Sequence, residues 1–528
     1  MSMHRCDVLI VGSSFTGSLL GWILAKQGLA VAIVDKQRHP RFAIGESTTP
    51  TADFLLAHLA DRWGLAELRP LAAWGDWQRT YPELRCGKKR GFAYYEHSAG
   101  KPHQDDADHS SSYLVAASAK DEWSDTQWLR SDVDEFLAQQ AVKAGCCMLE
   151  GYEIFDVEQE TLDSENAPRW RVHCARRDES EGGLAEQTVL GTRFLVDASG
   201  GGGFSKVWLG NGDDSDAMRT KTGALWGHFR NVGSMREHSI HFDTDTKGFF
   251  HPDDSAQHHV LEEGWYWMLR FQHGVTSVGL VLPTALWQTS ELACKSLDHR
   301  GDVWRRNLQK YPSIEAMMAN SELVAPEDGL QHASRLSRRM QKACGPGWAA
   351  LPTSFGFIDP LHSTGIAHGL SGVMRLAERL VRKEFAMDSG WRAYEVQLRQ
   401  EIDWIDLLVS LSYSGLPSFG RFRALCSFYF IAAIAFEQQL VCDPSSWPDG
   451  YMMSGSRSLR EQTERIYREV QPGSMIDEEK WLEEVRRAIQ PWNKVGLLDP
   501  EKGNRLAHTA PPKYLLATAP SGPSAAGH

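Results

Sequence analysis

Asp7-Val8-Leu9-Ile10-Val11-Gly12-Ser13-Ser14-Phe15-Thr16-Gly17 is an apolar run that breaks into glycine and small polar residues. The run predicts a buried strand over Asp7 to Val11. Leu19, Leu20, Ile23 and Leu24 then recur at helical spacing between Phe15 and Gln27, and Gly28 stops the helix. Val31-Ala32-Ile33-Val34 is a second buried strand, closed by Asp35. Strand, glycine turn, helix and strand together make a βαβ unit whose helix N-terminus attracts a pyrophosphate. Gly12 makes the tight turn, Gly17 lets the helix lie on the strand, and Asp35 takes a ribose hydroxyl. Ser14 stands where the middle glycine is usual, and serine is small enough for the phosphate to approach. Gly12, Ser14, Thr16, Gly17 and Asp35 are therefore the candidates for holding a dinucleotide. A second strand end, Phe194-Leu195-Val196-Asp197-Ala198-Ser199-Gly200, carries an acid and a glycine but no phosphate-type helix. One nucleotide cofactor is expected, with Asp197 near it, and no site for NAD(P)H.

The 528 residues are 42% hydrophobic and carry a formal net charge of −12 without a dense basic block, which excludes nucleic acid and anionic membranes as expected partners. Nine scattered cysteines, with no C-x-x-C, suit a reducing cytoplasm. The N-terminus lacks an export signal, and the longest apolar run, Ala424 to Phe436, reads as a buried helix rather than a membrane span. Pairs such as His238/His241 and His258-His259 lack the companions of a metal site, so no metal is expected.

Residues 1–220 read as the cofactor-binding core of an α/β protein, with 331–380 returning to it. Residues 221–330, including the strand-like Ala224–Phe229 and Gly264–Leu282, read as a β-sheet region on the substrate side. Helical periodicity dominates 381–508, expected to cover the substrate pocket. The Pro-, Ala- and Gly-rich 509–528 reads as a mobile tail or one draped over the surface.

The richest chemistry lies in Gly356-Phe357-Ile358-Asp359-Pro360-Leu361-His362-Ser363-Thr364-Gly365-Ile366. An Asp-Pro pair, a Ser-Thr pair and a glycine before an apolar run describe a loop feeding a helix. Its successive N–H groups point into a pocket and attract an anion, whether a flavin's ring edge or a halide. A plain turn and N-cap is the ordinary alternative.

With Gly45-Glu46-Ser47-Thr48-Thr49-Pro50, this loop resembles the flavin-dependent halogenases, FAD enzymes of the aromatic-hydroxylase type of fold. The resemblance spans about residues 5 to 380. It implies a Rossmann-like FAD-binding domain contacted by Glu46, Ser47, Thr48, Asp359, Gly365 and Ile366, with halide held by Ser363, Thr364 and Gly365. Gly264-Trp265-Tyr266-Trp267-Met268-Leu269 is similar to the family's W-x-W-x-I-P segment but ends in Leu269-Arg270, and it puts Trp265 and Trp267 at the substrate pocket. Arg85-Cys86-Gly87-Lys88-Lys89-Arg90-Gly91-Phe92 resembles the segment that presents the catalytic lysine, with Lys89 favoured over Lys88. The ordinary alternative is a solvated basic face. Arg130 resembles an arginine that contacts FAD at a helix start, and its alternative is a plain helix-terminus arginine.

The resemblance implies that FADH2, dioxygen and chloride or bromide generate hypohalous acid, which Lys89 passes to an aromatic carbon. A separate NAD(P)H-dependent reductase is expected to supply FADH2. Tryptophan halogenases carry a glutamate where His362 stands, so an electron-rich phenolic substrate is favoured over indole, with His362 as the base for its hydroxyl or as a loop histidine bound to backbone. Because W-x-W-x-I-P is incomplete, an aromatic hydroxylase remains an alternative. So do an indole halogenase and a non-catalytic flavoprotein.

Overall fold

The computed structural model describes residues 3–160, 169–177, 184–239, 249–289, 292, 294, 296–416, 418–444, 446, 447, 449–470 and 477–513. Its first sheet is built around Met3–Val11, which pairs in parallel with Val31–Asp35 on one side and with Leu184–Asp197 on the other. Val8, Leu9, Ile10 and Val31 to Val34 are buried on both faces, as expected of parallel strands covered by helices. The helix Phe15–Lys26 covers one face, and Cys147–Glu150 extends the sheet beyond Val31–Asp35. Trp348–Ala350 joins in parallel beside Leu184–Asp197, so the 331–380 stretch supplies a strand to this unit. The polar stretch from 151 to 196 is an antiparallel ladder of Tyr152–Gln159, Trp170–Arg177 and Leu184–Asp197.

A second sheet has nine strands. It contains Thr222–Arg230, Trp265–Arg270 and Val275–Pro283, where strands were expected, Ala256–Val260, where none was, and also Gly91–Glu96 and Ser112–Ala116 from the first 220 residues. The chain thus crosses between the two sheets early, and residues 91–116 belong with the second sheet rather than with the cofactor core. A two-stranded ribbon, Cys86–Lys89 against Asp125–Trp128, lies at the crossing.

The C-terminal third is helical. Ser389–Tyr413 packs on Phe419–Cys442, Thr364–Val381 packs on Phe15–Lys26 and Pro50–Trp63, and the buried Glu401 carboxylate ties Ser389–Tyr413 to Thr364–Val381. It accepts from Arg375 Nη1 and Nη2 at 2.8 and 2.9 Å and meets His368 Nε2 at 3.0 Å. Phe419–Cys442 is long and apolar enough to cross a membrane, but 72% of its most apolar window is buried inside the protein.

The tail departs from expectation. Arg505–Leu506 is a strand parallel to Leu114–Val115, and the Thr509 and Ala510 N–H groups donate to the carbonyls of Ala116 and Ala117. Lys513 is 6% exposed, between Asp53 and Asp125. Backbone pairing along an otherwise open sheet edge ties residues 505–513 down, so that part is neither mobile nor merely draped over the surface. Residues 514–528, and His241, lie outside the described residues.

Candidate functional site

Gly12 has φ +111°, and a Cβ there would sit 2.3 Å from the Ala198 carbonyl oxygen; one at Gly17 would sit 2.0 Å from the Gly12 oxygen. Both positions therefore need glycine, for backbone twist and for close packing. Ser14 caps the helix in extended conformation without using its side chain, which leaves the first-turn N–H groups facing outward. They open onto a cavity of about 530 Å³ lined by Gly12, Ser14, Asp35, Arg41, Ser199 and Phe204 among others. A glycine cradle, a free helix N-terminus and an acid at the next strand end fit the ADP half of FAD.

Other candidates are less direct. Asp35 accepts from the Ser13 N–H at 2.8 Å, from the Gln37 N–H at 2.9 Å, and pairs with Arg41 at 3.1 Å, so it both shapes the turn and borders the cavity. The Thr16 methyl faces Gly369 of the helix Thr364–Val381, while its hydroxyl is buried with no partner among the described residues. Asp197 accepts from the Ser199 N–H and hydroxyl and from the Ser205 N–H, each within 3.0 Å. Both its oxygens are engaged in forming the turn at the cleft wall, so it organises the cleft instead of contacting the cofactor. Arg130 donates to Asp134 and to the carbonyls of Ile44 and Gly45, all at 2.8–3.1 Å, and acts as a clamp on the 44–50 loop.

That loop runs from the cofactor unit to the ribbon. Glu46 meets His228 Nε2 at 2.7 Å, and Ser47 bridges to Gln127. Thr48 exchanges backbone and hydroxyl hydrogen bonds with Thr126, while the Ser47 hydroxyl is buried with no partner among the described residues. Glu46 and Thr48 thus bond within the protein, and Ser47 keeps a free polar atom for a ligand.

Lys89 is wholly buried, and its Nζ donates to the Thr48 carbonyl and stands 3.9 Å from the centre of the Phe92 ring. Burial pushes the amine down to about 8, against the opposing pull of Asp125 and Asp53. Its neighbour Lys88 points the other way and pairs with Asp121 at 2.7 Å and Asp254 at 3.0 Å.

The 356–366 loop ends in Ser363 at φ +53° and ψ 31°, a left-handed conformation that costs a non-glycine residue about 1–3 kcal/mol. The Ser363 side chain does not cap the 18-residue helix Thr364–Val381. At Gly365 a Cβ would meet only the Phe357 ring, at 3.5 Å, so this helix start is sterically open. Left-handed backbone at Ser363, open space at Gly365 and uncapped N–H groups at Thr364 and Gly365 are the features an anion-binding nest requires.

Asp359 does not reach outward. It accepts from Thr222, from the Leu361 N–H at 2.9 Å and from the Tyr413 hydroxyl at 3.0 Å, and burial raises its carboxyl to about 6. Its carboxylate holds the loop's shape and is not a cofactor contact. His362 is fully buried, its ring stacked on Tyr429 at 4.1 Å and 5°. The Ser412 hydroxyl donates to the Leu408 carbonyl at 3.1 Å, so the 2.9 Å contact to His362 Nε2 is donated by the histidine. Nδ1 is then a bare acceptor without a partner among the described residues, and burial keeps the ring neutral. His362 is not bound to backbone through its ring.

Trp265 and Trp267 share one face of their strand but are packed core rings. Trp265 donates to Tyr413 at 2.7 Å, and Trp267 donates to Ser277 at 3.1 Å and lies on Gly279. An aromatic block that the sequence reading did not foresee packs beside them. His258 is sandwiched between Tyr94 at 4.6 Å and Trp265 at 4.9 Å, and its Nε2 donates to the Leu361 carbonyl at 2.9 Å. Phe92 touches His258, Tyr429 and Phe430, so an aromatic block joins the His362 loop to Lys89. No spacing rule connects these positions, because they come from separate strands and a helix.

A model of the tryptophan halogenase family matches residues 130–415. The tetracycline 7-halogenase of Kitasatospora aureofaciens is 25% identical over 450 residues, covering 81% of this chain and 73% of that protein. Monodechloroaminopyrrolnitrin halogenase PrnC of Pseudomonas fluorescens is 26% identical over 452 residues, covering 83% and 73%. The halogenase PltM, solved with phloroglucinol and FAD, superposes with a TM-score of 0.78 at 22% identity over 95% of this chain and 99% of that one, a likeness of fold. Since the family match takes in more than half of the residues and the cradle fits FAD, the chain belongs to the tryptophan halogenase family and is a flavin-dependent halogenase acting on aromatic substrates.

Proposed function

We propose that this enzyme halogenates an electron-rich phenol, with Lys89 as the residue that transfers the halogen. Reduced FAD, once bound, supplies hypohalous acid from dioxygen and chloride or bromide. Gly12, Ser14, Gly17 and Asp35 hold its ADP half, Ser47 and the N–H groups of Gly365 and Ile366 face its ring, and Thr364 and Gly365 hold the halide. The observation that carries the reading is Lys89. A fully buried amine pushed down to about 8 keeps a minor free-amine fraction near neutral pH, far larger than that of a lysine at its ordinary value, and that fraction is a nucleophile while the ammonium is a donor. Its nitrogen takes halogen from hypohalous acid as the halogen–oxygen bond breaks and water leaves. The halogen then passes to a ring carbon, and the ring's proton returns to the amine.

A phenol is favoured for two reasons. His362 replaces a permanent carboxylate with a neutral ring whose bare Nδ1 accepts a hydroxyl proton. Glu437, a buried acid within electrostatic reach of Lys89, is raised by burial to about 8 and so offers no lasting negative charge to an indole. A separate NAD(P)H-dependent reductase is proposed to deliver FADH2, because the chain holds one dinucleotide fingerprint.

The test is mass spectrometry of a panel of phenols, phloroglucinol included, and of tryptophan, incubated with enzyme, FAD, a reductase, NADH and bromide or chloride. Halogenated phenols from the wild type and none from Lys89→Ala, with flavin still bound, support the reading. Halide-independent hydroxylated products, or halogenation surviving in Lys89→Ala, overturn it.

A further inference from the structure

The C-terminal segment carries a second lysine into the surroundings of the first. From Asn504 onward the chain runs along the strand Ser112–Ala116, held by the Leu114 N–H to the Asn504 carbonyl at 2.8 Å and by Thr509 and Ala510 at 3.1 and 3.2 Å. It ends, among the described residues, with the Lys513 Nζ between Asp53, on the first turn of the helix Pro50–Trp63, and Asp125 at 2.8 Å. Asp125 is the cross-strand partner of Lys89 in the ribbon. Asp53 Oδ1 and Asp125 Oδ2 are both buried without partners among the described residues, so each carboxylate keeps one oxygen able to receive another cation.

Two lysines and two carboxylates thus share one buried compartment, where charges interact far more strongly than in water. We propose that Lys513 is a positioning residue of the halogenating site, which holds Asp53 and Asp125 to itself and so withdraws both carboxylates from Lys89. The inference rests on the reading that Lys89 transfers the halogen. Besides Asp53, Asp125 and Lys513, the titratable groups facing Lys89 are Glu437, raised to about 8, and His258, lowered by burial to about 4. Near neutral pH both are largely uncharged and do not replace the pairing. Burial also raises Asp53 well above the usual carboxylate value, and Asp125 is the carboxylate paired across the ribbon from Lys89.

The consequence has a sign. Without the Lys513 cation, Asp125 turns to Lys89, stabilises its ammonium and reduces the free amine. Halogenation that needs the free amine rises with pH through the Lys89 titration, so this acid limb moves to higher pH. A nearby opposite charge shifts such a group by about 1–3 units, so Lys513→Met should move the limb upward by about that much. Lys513→Arg keeps the charge and should keep the limb. Asp125→Asn removes the anion and should move the limb downward, an opposite shift that general loosening of the fold does not produce.

The experiment is the pH profile of kcat/KM for halogenation by the flavin-loaded wild type, Lys513→Met, Lys513→Arg and Asp125→Asn, with Lys89→Ala alongside. Flavin content and thermal midpoint report whether each variant folds. Opposite shifts in Lys513→Met and Asp125→Asn, with the limb restored in Lys513→Arg, support the proposal. If Lys513→Met does not fold, the downward shift in Asp125→Asn, read beside an unshifted Lys513→Arg, decides. Unshifted limbs in the folded variants overturn the proposal while leaving Lys89 its role if Lys89→Ala is inactive. An active Lys89→Ala removes the reading beneath it.

Discussion

The indole N–H of Trp265 donates to the Tyr413 hydroxyl at 2.7 Å, and that hydroxyl donates in turn to Asp359 at 3.0 Å. A tryptophan of the second sheet is thereby joined to the Gly356–Ile366 loop through the last residue of the helix Ser389–Tyr413. Three parts of the chain far apart in sequence meet in one buried relay, and Thr222 closes it from the other side of Asp359.

Tyr413→Phe removes the middle of the relay and leaves the Trp265 N–H buried without an acceptor. An orphaned buried donor costs about 1–3 kcal/mol, so urea unfolding should show a loss of that size with flavin binding retained. An unchanged midpoint would mean that the relay contributes nothing to holding the loop.

Asp359 predicts a pH dependence of stability. Burial raises its carboxyl in the folded state from the usual 3.8 to about 6. A carboxyl raised by folding contributes stability that is complete below the unfolded value and is lost as pH rises through the folded one. Asp359→Asn cannot titrate. Between pH 4 and pH 7 the variant should therefore gain on the wild type by about 2 kcal/mol in denaturant unfolding. A difference that does not vary with pH would show that Asp359 is ionised throughout.

Gly12→Ala should abolish flavin retention on desalting. The added Cβ meets the Ala198 carbonyl oxygen at 2.3 Å, and both partners are backbone, which cannot swing away. Moving Ala198 would also disturb Asp197 and the cleft wall behind it. Full flavin occupancy in Gly12→Ala would count against this cradle as the ADP site.

His362→Phe preserves the stack on Tyr429 and removes the bare Nδ1. If that nitrogen takes the substrate's hydroxyl proton, kcat on ordinary phenols should fall by about 10²- to 10⁴-fold, the usual worth of a general base. Phenols already ionised at the assay pH should lose far less. Equal losses on both kinds of substrate would assign His362 to packing alone.

The cofactor unit was legible in the sequence because its determinants are local. A β-branched run, a glycine turn and helical spacing within the first 35 residues specify strand, turn and helix before any tertiary contact forms. The Gly356–Ile366 loop was legible as a loop feeding a helix for the same reason, since its turn and helix start depend on consecutive residues. Trp265 and Trp267 were legible as a motif but not as a location. Pattern alone does not tell a ligand wall from a core ring, and here Tyr413 and Ser277 take both indole N–H groups. Asp197, Arg130 and Glu46 were legible as types in the right places, but the local turn at Ser199 and Ser205 engages Asp197, and distant segments engage Arg130 and Glu46.

Lys88 and Lys89 mark the boundary most clearly. The sequence by itself determined a pair of adjacent cations ahead of Gly91 and Phe92, and strand geometry requires that neighbours point to opposite faces. It did not determine which face is water. The fold decided that by laying Asp121 and Asp254 on the Lys88 side and Thr48, Phe92 and Asp125 on the Lys89 side. Lys513 lay beyond sequence reading altogether: a lone lysine in a Pro- and Ala-rich tail, 460 residues from Asp53, has no periodicity or motif to announce it. Local pattern determines conformation, whereas burial and charge pairing arise between distant segments, so only the tertiary structure decided which lysine lies inside and what neutralises its neighbours.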